Sequence, residues 1–258
     1  MARRRTAPGL LLAALALLAG PARAATIAYL AQERFLEIEE VPSGAVQRVE
    51  AADFSAFGAT LVGADGVSTV SQTSSLTATR ILAAVSQDAA DERNVESSFS
   101  VTFTLDEASP FVLDGVFEEL DTVTDIHEFF PWNEVQIVVE ASLMGPSGTV
   151  AAFEFDLQAD CAFQQFCDFT SPIEATGVLG PGTYTLEART FATLRLAEIC
   201  FGFLCSNQFT VETSSDALVS LDFRLVPEPA TLGAVASGLL VLAAGARRAR
   251  RAGSRCAG

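Results

Sequence analysis

The sequence predicts an all-β fold, an antiparallel β-sandwich of jelly-roll or immunoglobulin-like kind. Three observations carry that reading. Apolar residues recur with a period of two in several separate stretches, glycine- and proline-bearing turns separate those stretches, and the interior shows no 3.6-residue apolar stripe. Packing two sheets face to face is how many such one-sided strands bury their apolar faces together. Residues 25–226 are enough for one domain of this kind with a sizeable core.

From the start of the chain, Arg3, Arg4 and Arg5 precede an apolar run at 10–19, and Ala22-Arg23-Ala24 supplies a small-x-small cleavage pattern. The run is too short to span a bilayer, so residues 1–24 are expected to be a secretory signal peptide cut after Ala24. Residues 26–90 are expected to add strands to the same sandwich, with 32–40 as an edge strand or a short helix. Clear alternation begins at Phe99, Val101, Phe103 and Leu105, which are interleaved with Ser100, Thr102 and Thr104. It returns at Phe153, Phe155 and Leu157, at Tyr184, Leu186 and Ala188, and at Val219, Leu221, Phe223 and Leu225. The more continuously apolar run 135–141 reads as a central strand. Turns are expected at Gly63-Ala64-Asp65-Gly66, Gly145-Pro146-Ser147-Gly148 and Gly180-Pro181-Gly182.

Charge narrows the classes of partner. The chain has no lysine, and nine of its sixteen arginines lie in the two terminal segments. Residues 25–226 keep seven arginines against thirty-one carboxylates, a net charge of −24. Such a surface repels nucleic acid, whose binders carry a basic footprint, and disfavours anionic lipid and polysaccharide. It suits a secreted protein kept soluble by self-repulsion, or one that gathers divalent cations.

Catalytic candidates are few. The single histidine, His127, would need a nucleophile and a carboxylate around it to form a hydrolase triad, and no Gly-x-Ser-x-Gly elbow occurs. The absence of lysine removes Schiff-base, Ser-Lys and P-loop chemistry. No pair of carboxylates stands out as a glycosidase couple. The chain is therefore read as non-enzymatic, with no cofactor. The acidic stretch around His127 is the best binding candidate: Asp121, Asp125, Glu128 and Glu134 offer oxygen ligands for a structural calcium, although the spacing is not that of an EF-hand loop. In the same stretch Trp132 is the one plausible stacking platform for a sugar, since nineteen of twenty-two aromatics are phenylalanine and read as core. The plainer alternatives are a solvated acidic loop and a tryptophan buried beneath it.

Cys161, Cys167, Cys200 and Cys205 form an even set in a chain expected to be exported, which reads as two disulfides. Zinc fits poorly, because neither spacing is Cys-x-x-Cys and no histidine is near. Two local bridges would each close a compact phenylalanine-rich loop, the longer stabilising by about 2.4 kcal/mol, and a Cys161–Cys205 bridge by about 4 kcal/mol. Compactness favours the local pairs, and the spacing leaves both connectivities open.

The C-terminal segment carries the most specific pattern. Pro227-Glu228-Pro229 is followed by seventeen uncharged residues at 230–246 and then by Arg247, Arg248, Arg250 and Arg251. As a helix that run is about 26 Å long, against roughly 30 Å of bilayer hydrocarbon, so it just spans with the arginines at the cytoplasmic face. The two prolines keep the triplet extended where the chain would enter the membrane. In this order the three parts resemble the PEP-CTERM sorting signal of Gram-negative surface proteins, with the longer tail 252–258 as a departure. The resemblance implies processing near the triplet by an exosortase, passage through the inner membrane, and a place at the cell surface or outside it. It further implies a structural or adhesive matrix protein linked to exopolysaccharide or biofilm. The alternative is a carbohydrate-binding module, and after that a secreted hydrolase. The expected division is 1–24 signal peptide, 25–226 sandwich, and 227–258 sorting segment.

Overall fold

In the computed structural model the described residues are 25–41, 43–90, 93–123, 134–156, 167–195, 200–201, 204–205 and 213–226, and all regular structure among them is strand. In chain order these are β1 (Ala28–Glu40), β2 (Ala45–Glu50), β3 (Phe57–Val62), β4 (Thr69–Leu76), β5 (Arg80–Ala90), β6 (Arg93–Leu105) and β7 (Ser109–Val123). They continue as β8 (Glu134–Gly145), β9 (Gly148–Asp156), β10 (Cys167–Leu179), β11 (Gly182–Arg195), β12 (Cys200–Phe201), β13 (Leu204–Cys205) and β14 (Thr213–Leu225). Two six-stranded antiparallel sheets pack face to face. Sheet A runs β2-β1-β6-β11-β8-β9 and sheet B runs β10-β7-β14-β5-β4-β3, with β12 and β13 as a separate hairpin. Residues Thr26–Leu225 form one compact unit. The predicted sandwich is thus present, and residues 26–90 supply five of its strands.

Each expected turn falls between strands. Asp65 shapes the β3–β4 turn, its carboxylate accepting from the Val67 and Ser68 backbone N–H groups and from the Ser68 hydroxyl. Gly148, at φ 112°, closes the β8–β9 hairpin in a backbone conformation that favours glycine. The Gly180-Pro181 corner takes the chain from sheet B to sheet A.

One expectation changes. Residues 32–40 are neither helix nor edge: they lie in β1, which is flanked by β2 and β6. The expected central strand at 135–141 is present as part of β8, inside sheet A, with Ile137, Val139 and Ala141 inward and Val138 half-buried. The strands are also long, thirteen residues in β6 and fifteen in β7. Single polar residues interrupt the inward apolar rows of these strands. On β6, buried Ser97 sits between inward Phe99 and Val95, Gln87 of β5 between Val85 and Ala89, and Thr190 of β11 between Ala188 and Ala192.

The filling of the core differs from place to place. At the end where β6 and β14 finish, Phe103 lies 5.8 Å from Tyr184 and 5.4 Å from Phe223, which in turn lies 5.9 Å from Phe111. These rings tie sheet A to sheet B through aromatic pairs, each worth about 0.5–1.5 kcal/mol beyond its buried area. Along the β1–β4 side the filling is an arginine. Arg34 is 1% exposed, and its guanidinium donates to Gln32 Oε1, Asp53 O, Ser55 O (3.1 Å) and Ser74 Oγ (2.8 Å). Gln32 Nε2 adds a bond to Ala51 O at 3.0 Å, so two side chains of β1 hold the segment that carries the chain to β3.

Candidate functional site

Strand register brings together, at one end of the sandwich, the strand ends that flank the acidic and cysteine-bearing stretches. Asp121 is the partner of Cys167, Val123 of Thr213, and Glu134 of Arg195. The β7–β8 connection with Asp125, Glu128 and Trp132, the β9–β10 connection with Cys161, and the β11–β14 connection with Cys200 and Cys205 therefore all leave from that end. Asp125, His127, Glu128, Trp132 and Cys161 themselves lie outside the described residues, as do Pro227, Glu228, Pro229, Arg247, Arg248, Arg250 and Arg251 and the run 230–246. Of Asp121, Glu134 and Cys167 only the backbone is described. Cys200 and Cys205 are direct register partners in the β12–β13 hairpin, and no disulfide is seen among the described residues. Among the described residues no group of three or more His, Cys, Asp or Glu is placed to hold a metal, and no helix is long and apolar enough to cross a membrane.

Two further carboxylates, Asp114 and Glu118, lie within β7. On β7, Phe111, Leu113 and Phe117 face the core, and Asp114 and Glu118 lie on the outer face of sheet B. The central residues of that face form an ion-pair chain that sequence spacing did not reveal. Arg80 grips Asp222 with two bonds of 2.8 Å, Arg224 reaches Asp222 at 2.9 Å, and Arg224 reaches Asp114 at 2.6 Å. Only the Asp222–Arg224 step, two residues apart on one strand face, was visible in the sequence. Arg80 and Asp114 join through the β5-β14-β7 strand order. The chain borders a shallow groove of about 540 Å³, whose lining includes Ala84, Ser220, Thr73, Leu82 and Phe57.

The same face has a repulsive counterpart. Asp88 and Asp216 are cross-strand partners. Burial, then the neighbouring Asp216 and Asp65, hold the Asp88 carboxyl above its ordinary pKa, and burial and Glu118 raise that of Asp216. By contrast the Arg80 hydrogen bond leads in holding Asp222 below the ordinary carboxylate range, against a partial offset from burial. The signs separate. A raised carboxyl subtracts stability, and the loss is complete once pH exceeds its folded pKa. Asp222 adds stability above the unfolded carboxylate pKa and loses it as pH falls through the lowered value. Asp216→Asn is therefore expected to raise the melting temperature by about 1–2 °C at pH 7 and to give no gain at pH 3. A scanning calorimetry series in pH checks this, and an equal gain at both pH values would refute it.

The outer face of sheet A is acidic. Arg189 pairs with Glu96 at 2.7 Å and Glu140 at 3.5 Å beside a groove of about 290 Å³ that Glu33 and Glu187 also line. Phe35 points outward here yet is only 7% exposed, because the Arg48 guanidinium lies 3.7 Å over its ring.

No family model matches the chain, and no curated protein matches it. Among solved structures, one described as the infectious bursal disease virus Gx strain aligns at 12% identity over 85% of this chain and 71% of that one. Its TM-score of 0.14 is too low for the likeness to bear on fold or activity.

Proposed function

We propose that this chain is an exported protein, sorted by a PEP-CTERM-like signal, with a structural or adhesive role at the cell surface or in the extracellular matrix. The observation that carries the reading is the ordered C-terminal sequence: the triplet Pro227-Glu228-Pro229, the uncharged run 230–246, and the arginines at 247–251. The signal-peptide pattern at 1–24 supports it from the other end. A twelve-stranded sandwich with two wet, ion-paired outer faces suits a non-enzymatic passenger of such a signal. Its lineage is taken as jelly-roll or immunoglobulin-like, enlarged by hairpins. Tyr184, just past the Gly180-Pro181 corner, donates its hydroxyl to Gly180 O at 2.8 Å, the arrangement of a tyrosine corner in Greek-key sandwiches. An exosortase-type enzyme is the processing partner, and local bridges Cys161–Cys167 and Cys200–Cys205 belong to the same reading.

Intact mass of protein recovered from the native cell surface is the test. The mature species is expected to lack residues 1–24 and most of the chain after Pro227. Alanine at positions 227, 228 and 229 together is expected to leave an unprocessed precursor in the inner membrane. Surface protein that retains Arg247 to Gly258 would leave only a permanent anchor.

A further inference from the structure

One edge of sheet B is open among the described residues. Strand β3 ends that sheet and, among the described residues, its outer edge has no strand partner. The phase of its hydrogen bonding is fixed by one contact: Gly63 N donates to Ser68 O at 2.8 Å, continuing the β3–β4 register one step past Val62↔Thr69. Hydrogen-bonded pairs alternate along an antiparallel ladder, so Leu61, Ala59 and Phe57 also turn their N–H and C=O groups toward β4. Gly58, Thr60 and Val62 therefore turn theirs to the open edge, and these three are exposed residues.

We propose that two copies of this chain associate through β3, antiparallel about a twofold axis at Thr60, joining their B sheets into one continuous sheet. Thr60 then faces Thr60 of the other copy, and Gly58 faces Val62. That register uses every outward N–H and C=O of the strand, and it places the exposed Val62 side chain over a residue with no side chain of its own. A Cβ at Gly58 would meet only Thr73 Cγ2, at 3.9 Å, so the site above Gly58 is open.

Charge selects the occupant. An unpaired edge accepts any extended strand in principle, and proteins normally block edges with charge or proline. Here β2 carries Arg48 and Glu50, β9 carries Glu154 and Asp156, and β10 carries Asp168, Pro172 and Glu174. Strand β3, Phe-Gly-Ala-Thr-Leu-Val, has neither charge nor proline. Among the described edge strands of the two sheets, β3 alone brings no charged side chain to a meeting of two copies of so acidic a chain. This deepens the scaffold reading by naming a self-association surface, and it stands or falls separately from the sorting signal.

Sedimentation velocity of the purified full chain in mild detergent, over a concentration series, is expected to show a monomer–dimer equilibrium. Thr60→Lys sets two ammonium groups opposite each other and is expected to weaken the dimer by about tenfold or more, with an unchanged circular dichroism spectrum. Thr60→Cys is expected to cross-link the dimer under mild oxidation, because Cα atoms of such a pair lie about 5.5 Å apart. Ala59→Cys, turned to the other face and off the twofold, is expected not to. A wild-type chain that stays monomeric, a dimer indifferent to Thr60→Lys, or equal cross-linking at both positions would each overturn the proposal. Correct processing at Pro227 alongside any of these would leave the sorting reading standing.

Discussion

Arg34→Met is expected to lower the stability of the sandwich by about 3–5 kcal/mol, read from the urea midpoint at constant slope. Methionine fills most of the aliphatic volume, so the loss isolates the guanidinium. That group is buried without a carboxylate bonded to it; its partners are Gln32 Oε1, Asp53 O, Ser55 O and Ser74 Oγ. Each oxygen left buried without a donor costs about 1–3 kcal/mol, and those nearest solvent recover part of it from water. The segment between β2 and β3 is expected to loosen first, because its link to β1 runs through Arg34 and Gln32. Arg34→Lys, with three donors on one atom, should fall between. A loss below about 1 kcal/mol for methionine would mean that these oxygens find water as easily as they find Arg34.

This arginine also marks where the sequence stops being legible. Alternation located β6, β9, β11 and β14, since their apolar inward residues contrast with serine, threonine and acidic neighbours outside. In the first third the inward positions include Arg34, Gln72 and Ser74 alongside Leu36, Ile38 and Val70. A periodicity argument scores those as outward, so β1 resembled an edge or a helix. The error arises because a polar side chain with enough internal partners is as acceptable in a core as an apolar one.

Legibility of the sites divides along the same line. Features local in sequence, such as the two terminal patterns and the acidic stretch near His127, were visible without a fold. Features made by strand order were not. Arg80 and Asp222 are 142 positions apart and meet only because β5 and β14 are neighbours. The edge at β3 depends both on which strand ends the sheet and on the phase of its hydrogen bonds. Composition did foreshadow one consequence. A chain without lysine lacks the residue most often used to block strand edges, so charge on the edges must come from arginine or from carboxylates that repel a second copy.

Gly115→Ala is expected to cost about 3 kcal/mol or more, and Gly115→Val to prevent recovery of folded protein. Gly115 lies in β7, between Ile173 of β10 and Leu221 of β14, well inside sheet B. A Cβ there would sit 2.1 Å from Ser220 O and 3.2 Å from Leu221 Cδ2. A carbonyl oxygen of a neighbouring strand has no rotamer to move to. Relief therefore requires β7 and β14 to separate, which weakens ladder hydrogen bonds and displaces Phe117 and Leu221 from the core. Gly58→Ala on β3 is the control. Its Cβ meets nothing closer than 3.9 Å, so the monomer's urea midpoint is expected to change little. If the two alanine variants unfold at the same denaturant concentration, the close approach of Gly115 to Ser220 does not exist in solution, and the β7–β14 ladder lies differently from the arrangement described.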